Sequence, residues 1–317
     1  MAPPPPLPPE WADLPVDALL AVFERLGAVE VLMAAGVVCR SWLRVASNEP
    51  GLWRRLDFTA GCFDPTVDME AMARAAVDRA NGRLQHFSAE RFATDALLSY
   101  IAKRTNCMKS LRLLNCLEIS EKGLVAIGKT SPCLEELELT TCSVNILLKD
   151  VGQAFPNLKC LRLNHRWYDV QLDEFRDNFH ALGISCSMPK LCHLQLFANR
   201  LRNNALAAIL DNCPHLESLD LRQCFNIKVD AELQAKCARL KDVRLPNDST
   251  KDYEYETFIE RPSLDPLALP FPGALSPFHV NDEDGDDDLG IHFGHRLTGY
   301  GFIIGGYHIH GQIIDDD

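Results

Sequence analysis

Twelve cysteines and ten histidines are the side chains of this 317-residue chain with the widest chemical reach. Thiolates spaced as CxxC would suit a tetrahedral zinc site, and a Cys/His pair could support nucleophilic catalysis. The chain has no CxxC, and no GxSxG or HExxH string either. His292, His295, His308 and His310 cluster near the C-terminus with no carboxylate or thiol interspersed among them, a set that would hold a metal only weakly. Gly299, Gly301 and Gly305 miss the spacing of a dinucleotide-binding turn. No cofactor, metal or catalytic residue is therefore expected. Cys116, Cys142 and Cys224 instead recur at one place in a repeat, with Arg166 and Asn199 at the same place elsewhere. A thiol or polar side chain there would satisfy main-chain groups between turns of a stack.

The elements that position those cysteines follow an LxxLxL pattern. It runs through Leu84/Phe87/Ala89, Met108/Leu111/Leu113, Leu134/Leu137/Leu139, Leu158/Leu161/Leu163, Leu191/Leu194/Leu196, Leu216/Leu219/Leu221 and Leu240/Val243/Leu245. The middle residue returns after 24, 26, 24, 33, 25 and 24 residues. That is the period of leucine-rich repeats, each one a short strand and a helical return that buries its apolar face only against its neighbours. The fold class is α/β, with a right-handed solenoid over residues 84–248 carrying a parallel sheet on its concave face. Apolar stripes at Leu97/Leu98/Ile101, Leu124/Ile127, Leu206/Ile209/Leu210 and Leu233/Cys237 mark the returning helices.

Strand side chains alternate, so the residues between the leucines face the concave side. That stripe reads Ser88, Arg112, Glu138, Arg162, Gln195, Asp220 and Arg244. Arg112, Glu138 and Arg162 should pair across neighbouring strands, as should Asp220 and Arg244. One repeat is about nine residues longer than the rest, between Asn164 and Ser187, and holds Arg166, Trp167, Tyr168, Phe175 and Phe179. Arginine and large aromatics dominate interface hot spots. Arg112, Glu138, Arg162, Arg166, Trp167 and Tyr168 are the candidate target-binding residues.

Upstream of the repeats, residues 1–10 are a proline-rich leader and residues 11–58 a small helical segment. Pro15 opens a helix whose stripe is Leu19, Leu20, Phe23 and Leu26, ended by Gly27. A second helix is predicted over Val29–Val38 and a third over Cys39–Ala46, before Pro50, Leu52, Trp53 and Leu56. So small a bundle has more apolar surface than it can hide, which calls for a partner. This stretch resembles the F-box, on Leu14-Pro15, Leu19-Leu20, Phe23, Leu26, Val38-Cys39-Arg40, Trp42, Pro50, Leu52-Trp53 and Leu56. Together with the repeats it looks like the plant F-box proteins that carry a short, cysteine-containing repeat array.

The resemblance implies docking on the Skp-type adaptor of a cullin–RING (SCF) ubiquitin ligase, through Leu14, Pro15, Leu19, Leu20, Phe23 and Leu26. It further implies a non-catalytic receptor, which presents a target protein to the ligase through the repeats. An interaction scaffold without ligase activity is the alternative. Residues 59–83 are expected to form a linker with a helix over 64–81 that caps the solenoid, and residues 249–317 an irregular acidic tail. The net charge of −12 argues against nucleic-acid binding, and the chain offers neither a signal peptide nor an apolar run of membrane length. Free cysteines and a cytosolic or nuclear location are the corresponding expectations.

Overall fold

A computed structural model describes residues 11–59, 67–142, 146–165 and 174–255, with residues 174–177 described for their backbone alone. The chain opens with α1 (Val16–Leu26), α2 (Ala28–Met33) and α3 (Arg40–Asn48). Pro15 caps α1, and Gly27, at φ +90°, turns the chain directly into α2. The second helix is shorter than its apolar run suggests. After Met33 the chain tightens into a 3-10 turn at Ala35–Val37, and Gly36 sits against the end of α2. A Cβ on Gly36 would lie 2.6 Å from the Val31 carbonyl oxygen.

The chain then alternates strand and helix: β1 (Arg55–Phe58), α4 (Met69–Ala80), β2 (His86–Glu90), α5 (Asp95–Ala102), β3 (Ser110–Leu114) and α6 (Glu121–Thr130). It continues through β4 (Glu136–Thr140), α7 (Leu148–Ala154), β5 (Cys160–Asn164), α8 (Glu174–Ser187), β6 (His193–Gln195), α9 (Asn203–Asn212), β7 (Ser218–Asp220), α10 (Ala231–Cys237) and β8 (Asp242–Arg244). Among the described residues, eight strands form one parallel sheet in sequence order. Parallel neighbours need a crossover, which each helix supplies.

The sheet therefore has one strand more than the seven leucine triads. The extra strand, β1, comes from the end of the helical segment, and its Leu56 and Phe58 are buried in the leucine rows. In register, Leu56, Phe87, Leu111, Leu137, Leu161, Leu194, Leu219 and Val243 form one continuous inward ladder. Burial of each leucine contributes roughly 1.5–3 kcal/mol. The α4 helix starts later than the sequence pattern suggests, at Met69, where the Asp68 carboxylate caps the Ala71 amide at 2.9 Å. It is the return helix of the β1 coil and packs on α5. The helices and the repeats belong to one compact unit.

A recurrent backbone device closes five of the coils. Arg91, Asn115, Thr141, Ala198 and Gln223, each just past a strand, all have positive φ, between 52° and 75°. The left-handed conformation costs a non-glycine residue about 1–2 kcal/mol. Here it aims each amide at a carbonyl of the next coil: Arg91 to Leu114, Asn115 to Thr140, Thr141 to Asn164, Ala198 to Arg222 and Gln223 to Pro246, at 2.8–2.9 Å. The recurring thiols complete the seam. Cys142 Sγ donates to the Leu113 carbonyl and Cys224 Sγ to that of Leu196, while Cys116 Sγ donates to the carbonyls of Leu114 and Ala89.

Residues 249–255, assigned to the tail from the sequence, are irregular and pack onto the concave face, where four of their side chains find partners. Arg166, Trp167 and Tyr168, and the tail from residue 256 onward, lie outside the described residues.

Candidate functional site

Two surfaces carry the residues singled out from the sequence. The first is the helical end. Leu19 and Phe23 recur one turn apart on α1, and both are buried in the protein's own core, Phe23 edge-on to Trp42 at 5.6 Å. The Trp42 indole donates to the Trp11 carbonyl and the Trp53 indole to that of Ala46. Leu19 and Phe23 thus hold the helices together instead of facing outward. This corrects their expected role: helical spacing shows that a face is apolar, but not what covers it. Leu14 and Leu20 are half-buried, and Pro15 and Leu26 are exposed. Among the described residues, thirteen large apolar side chains are exposed, and eight of them fall between Trp11 and Leu43. They are Trp11, Val16, Val22, Leu26, Met33, Val37, Val38 and Leu43, with Val37 69% exposed. Such a concentration marks an interaction surface.

The second surface is the middle of the concave stripe. The register sets Ser88, Arg112, Glu138, Arg162, Gln195, Asp220 and Arg244 side by side, one per strand. Glu138 is its centre, with a side chain only 3% exposed. Arg112 Nε donates to Glu138 Oε2 at 2.9 Å and Arg162 Nη1 at 3.4 Å, while Thr140 donates to Oε1 at 2.9 Å. The three charged candidates are therefore together, as expected from the sequence.

Asp220 and Arg244 are in register but do not pair. Arg222, just past the end of β7, takes both oxygens of Asp220, at 2.7–3.1 Å, and Arg244 reaches Asp252 at 3.3 Å. Arg222 also holds Asp252, at 2.5 Å, and the Ser249 carbonyl, at 3.0 Å. It anchors the segment after β8, a role absent from the repeat pattern because Arg222 is off the central row.

That segment crosses the stripe. Glu254 bridges the two outer arginines, accepting from Arg162 Nη1 at 2.8 Å and Arg112 Nη2 at 3.3 Å. The Tyr255 hydroxyl donates to Glu138 and accepts from Arg112 Nη2 at 2.9 Å. Burial works against charge on Arg112 and Arg162, but Glu138, helped by Tyr255 and Glu254 at Arg112 and by Glu254 at Arg162, outweighs it and holds both guanidiniums above their ordinary range. Burial, with Glu138 nearby, pushes the Tyr255 hydroxyl well up, so it stays protonated and able to donate. Beside this segment lies a cleft of about 390 Å³ that Glu90, Arg112, Asn115 and Thr140 also line.

One string in the chain has the composition of a phosphate-binding loop. Gly123 to Thr130 reads GLVAIGKT, a match to GxxxxGK[ST]. The chemistry needs a loop between strand and helix, and here the whole string lies inside α6. Its glycines serve packing. A Cβ on Gly123 would collide with Asp95 and Leu98 of α5, and one on Gly128 would come within 2.6 Å of Ala154 on α7. Among the described residues, no three His, Cys, Asp or Glu side chains are grouped to hold a metal, and no helix is long and apolar enough to cross a membrane.

Residues 11–59 match the F-box-like family. The chain is 41% identical over 303 residues to "Putative F-box/LRR-repeat protein 22" of Arabidopsis thaliana, covering 93% of this chain and 91% of that one. It is 43% identical to the Arabidopsis thaliana "F-box protein SKIP19", covering 77% of this chain and 80% of the relative. A third Arabidopsis relative, "Putative F-box/LRR-repeat protein 23", is 42% identical, covering 75% of this chain and 54% of that one. With a helical module at residues 11–59 running into an eight-stranded leucine-repeat sheet, the chain belongs to the plant F-box/LRR-repeat family.

Proposed function

We propose that this protein is the substrate-recognition subunit of an SCF-type ubiquitin ligase. In this reading the helical end docks on a Skp-type adaptor, and through it on a cullin, while the concave face holds a target protein. The protein supplies proximity: holding a target beside a charged ubiquitin-conjugating enzyme raises the effective concentration of the reacting groups. No catalytic residue is needed in this chain for that work. The observation that carries the reading is the set of exposed apolar side chains from Trp11 to Leu43 on a module matching the F-box-like family. An uncovered surface of that kind is a liability unless a partner hides it. Pro15, Leu26, Met33, Val37 and Val38 are the contacts we assign to the adaptor, with Leu14 and Leu20 behind them.

On the target side we assign Arg112, Glu138 and Arg162, together with Arg166, Trp167 and Tyr168, which follow β5 in the sequence. The reading includes a cytoplasmic or nuclear place of work. Co-purification from plant cells tests it. The protein should bring down both the adaptor and the cullin, and its overproduction should shorten the half-life of a captured target. Capture of the adaptor without any cullin would favour a scaffold instead.

A further inference from the structure

The concave stripe is already occupied by the protein's own chain, and the occupant's chemistry describes what the site takes. We propose that Arg112, Arg162 and Phe197 form a receptor site for an extended acidic peptide, a carboxylate flanked by aromatic rings. Asp252–Tyr255 of this protein is its resident occupant, which a target segment of the same chemistry displaces. The inference rests on the receptor reading given above and names the class of target.

Each side chain of the occupant fills a distinct position. Tyr253 lies flat on Phe197, with ring centroids 3.8 Å apart and planes 6° from parallel. Glu254 spans the two guanidiniums, and Tyr255 reaches Glu138 and Arg112. Asp252 closes the row on Arg222 and Arg244. Without Glu254, two guanidiniums would share the single carboxylate of Glu138. The empty cradle is thus short of one negative charge, which an acidic peptide brings.

The occupant is held by its side chains and not by the sheet. Among the described residues, no main-chain hydrogen bond joins residues 251–255 to a strand, and the Tyr253 amide bonds only back to Thr250. Side chains alone hold the segment, so its release breaks no rung of the sheet. A segment held without main-chain bonds to the sheet can open locally while the strands stay folded. The tether after β8 is short, which gives the occupant a local concentration of the order of mM. A target must outcompete it, so weak acidic sequences are rejected. The neighbouring cleft of about 390 Å³, reaching Glu90 and Asn115, leaves room for a peptide to continue toward the N-terminal strands.

The test uses the full chain and a fluorescein-labelled peptide of residues 249–258, read by anisotropy. In the wild type the site is closed and binding is weak. The opened variant Y253A/Y255A should bind at least about tenfold more tightly, and the same peptide carrying Gln in place of Glu254 should lose at least tenfold. E254Q, which keeps both rings and so avoids disturbing the fold, should open the site to a smaller degree. If neither variant binds the peptide more tightly than the wild type, or if the Gln peptide binds as well as the parent, the segment is a fixed staple and the proposal fails. Adaptor capture is measured on the same proteins. Intact capture with no peptide binding overturns this inference alone, whereas failure of the wild type to capture the adaptor overturns the receptor reading beneath it.

Discussion

Tyr253 and Phe197 stack ring on ring, 3.8 Å between centroids, although 56 positions separate them in sequence. The stack joins a segment beyond the last repeat to the loop after β6 and leaves Phe197 wholly buried. Stacked pairs contribute about 0.5–1.5 kcal/mol beyond the area they bury. Tyr253→Ala should therefore cost about 1–2 kcal/mol, a fall in Tm of a few degrees by calorimetry. A collapse of the whole transition would mean that the segment is integral to the solenoid.

Glu138 is the keystone of the charged row. Replacing it by Gln keeps its volume but leaves Arg112 and Arg162 facing each other with only Glu254 between them. Breaking a buried pair costs about 3–5 kcal/mol, and partial exposure of both arginines scales this down. Glu138→Gln should destabilise by about 2 kcal/mol, whereas Arg244→Ala, at the exposed end of the stripe, should cost less than about 1 kcal/mol. Urea denaturation of the two variants checks the ordering.

Helix spacing on the convex side depends on Gly128. Gly128→Ala would put a methyl group within 2.6 Å of the Ala154 side chain and 2.7 Å of its carbonyl. Better helix propensity favours Ala by about 1 kcal/mol, but overpacking of this kind costs about 1–3 kcal/mol. The expected net result is a lower Tm by thermal denaturation, with adaptor binding unchanged.

The cysteines should divide by burial. Burial pushes the thiols of Cys116 and Cys213 up to about 11, so at pH 8 almost no thiolate forms at either. Raising the pH to 9 leaves both far below their pKa. Cys133 and Cys186 are exposed. Iodoacetamide should modify Cys133 and Cys186 in the native protein at pH 8–9 and spare Cys116 and Cys213 until denaturant is added, as read by peptide mass spectrometry.

Much of this was legible in the sequence. The leucine triads mark β2 to β8 because an inward row of one residue type at a fixed period has no other economical explanation. The Arg112–Glu138–Arg162 cluster followed from the register those leucines impose. Three features were hidden. The strand β1 carries Leu56 and Phe58 in place of a leucine triad, so it reads as the end of the helical module. The apolar face of α1 reads the same whether it points inward, as Leu19 and Phe23 do, or outward, as Leu26 does. Asp252 to Tyr255 look like the start of an acidic tail, because their partners Arg222, Phe197 and Arg112 lie from 30 to more than 140 positions away and no local period announces them.

The receptor reading puts the Skp-type adaptor on the exposed face of α1, α2 and the turn after them. The direct measurement is calorimetric titration of the full chain with purified adaptor, alongside Leu26→Asp/Met33→Asp and Phe23→Ala variants. The wild type should bind tightly, and the Leu26/Met33 variant should lose at least a hundredfold, about 2.7 kcal/mol or more, at an unchanged Tm. Phe23→Ala should instead lower Tm, with a core loss of about 3–5 kcal/mol. Wild-type affinity retained by the Leu26/Met33 variant would mean that the adaptor does not dock on this face.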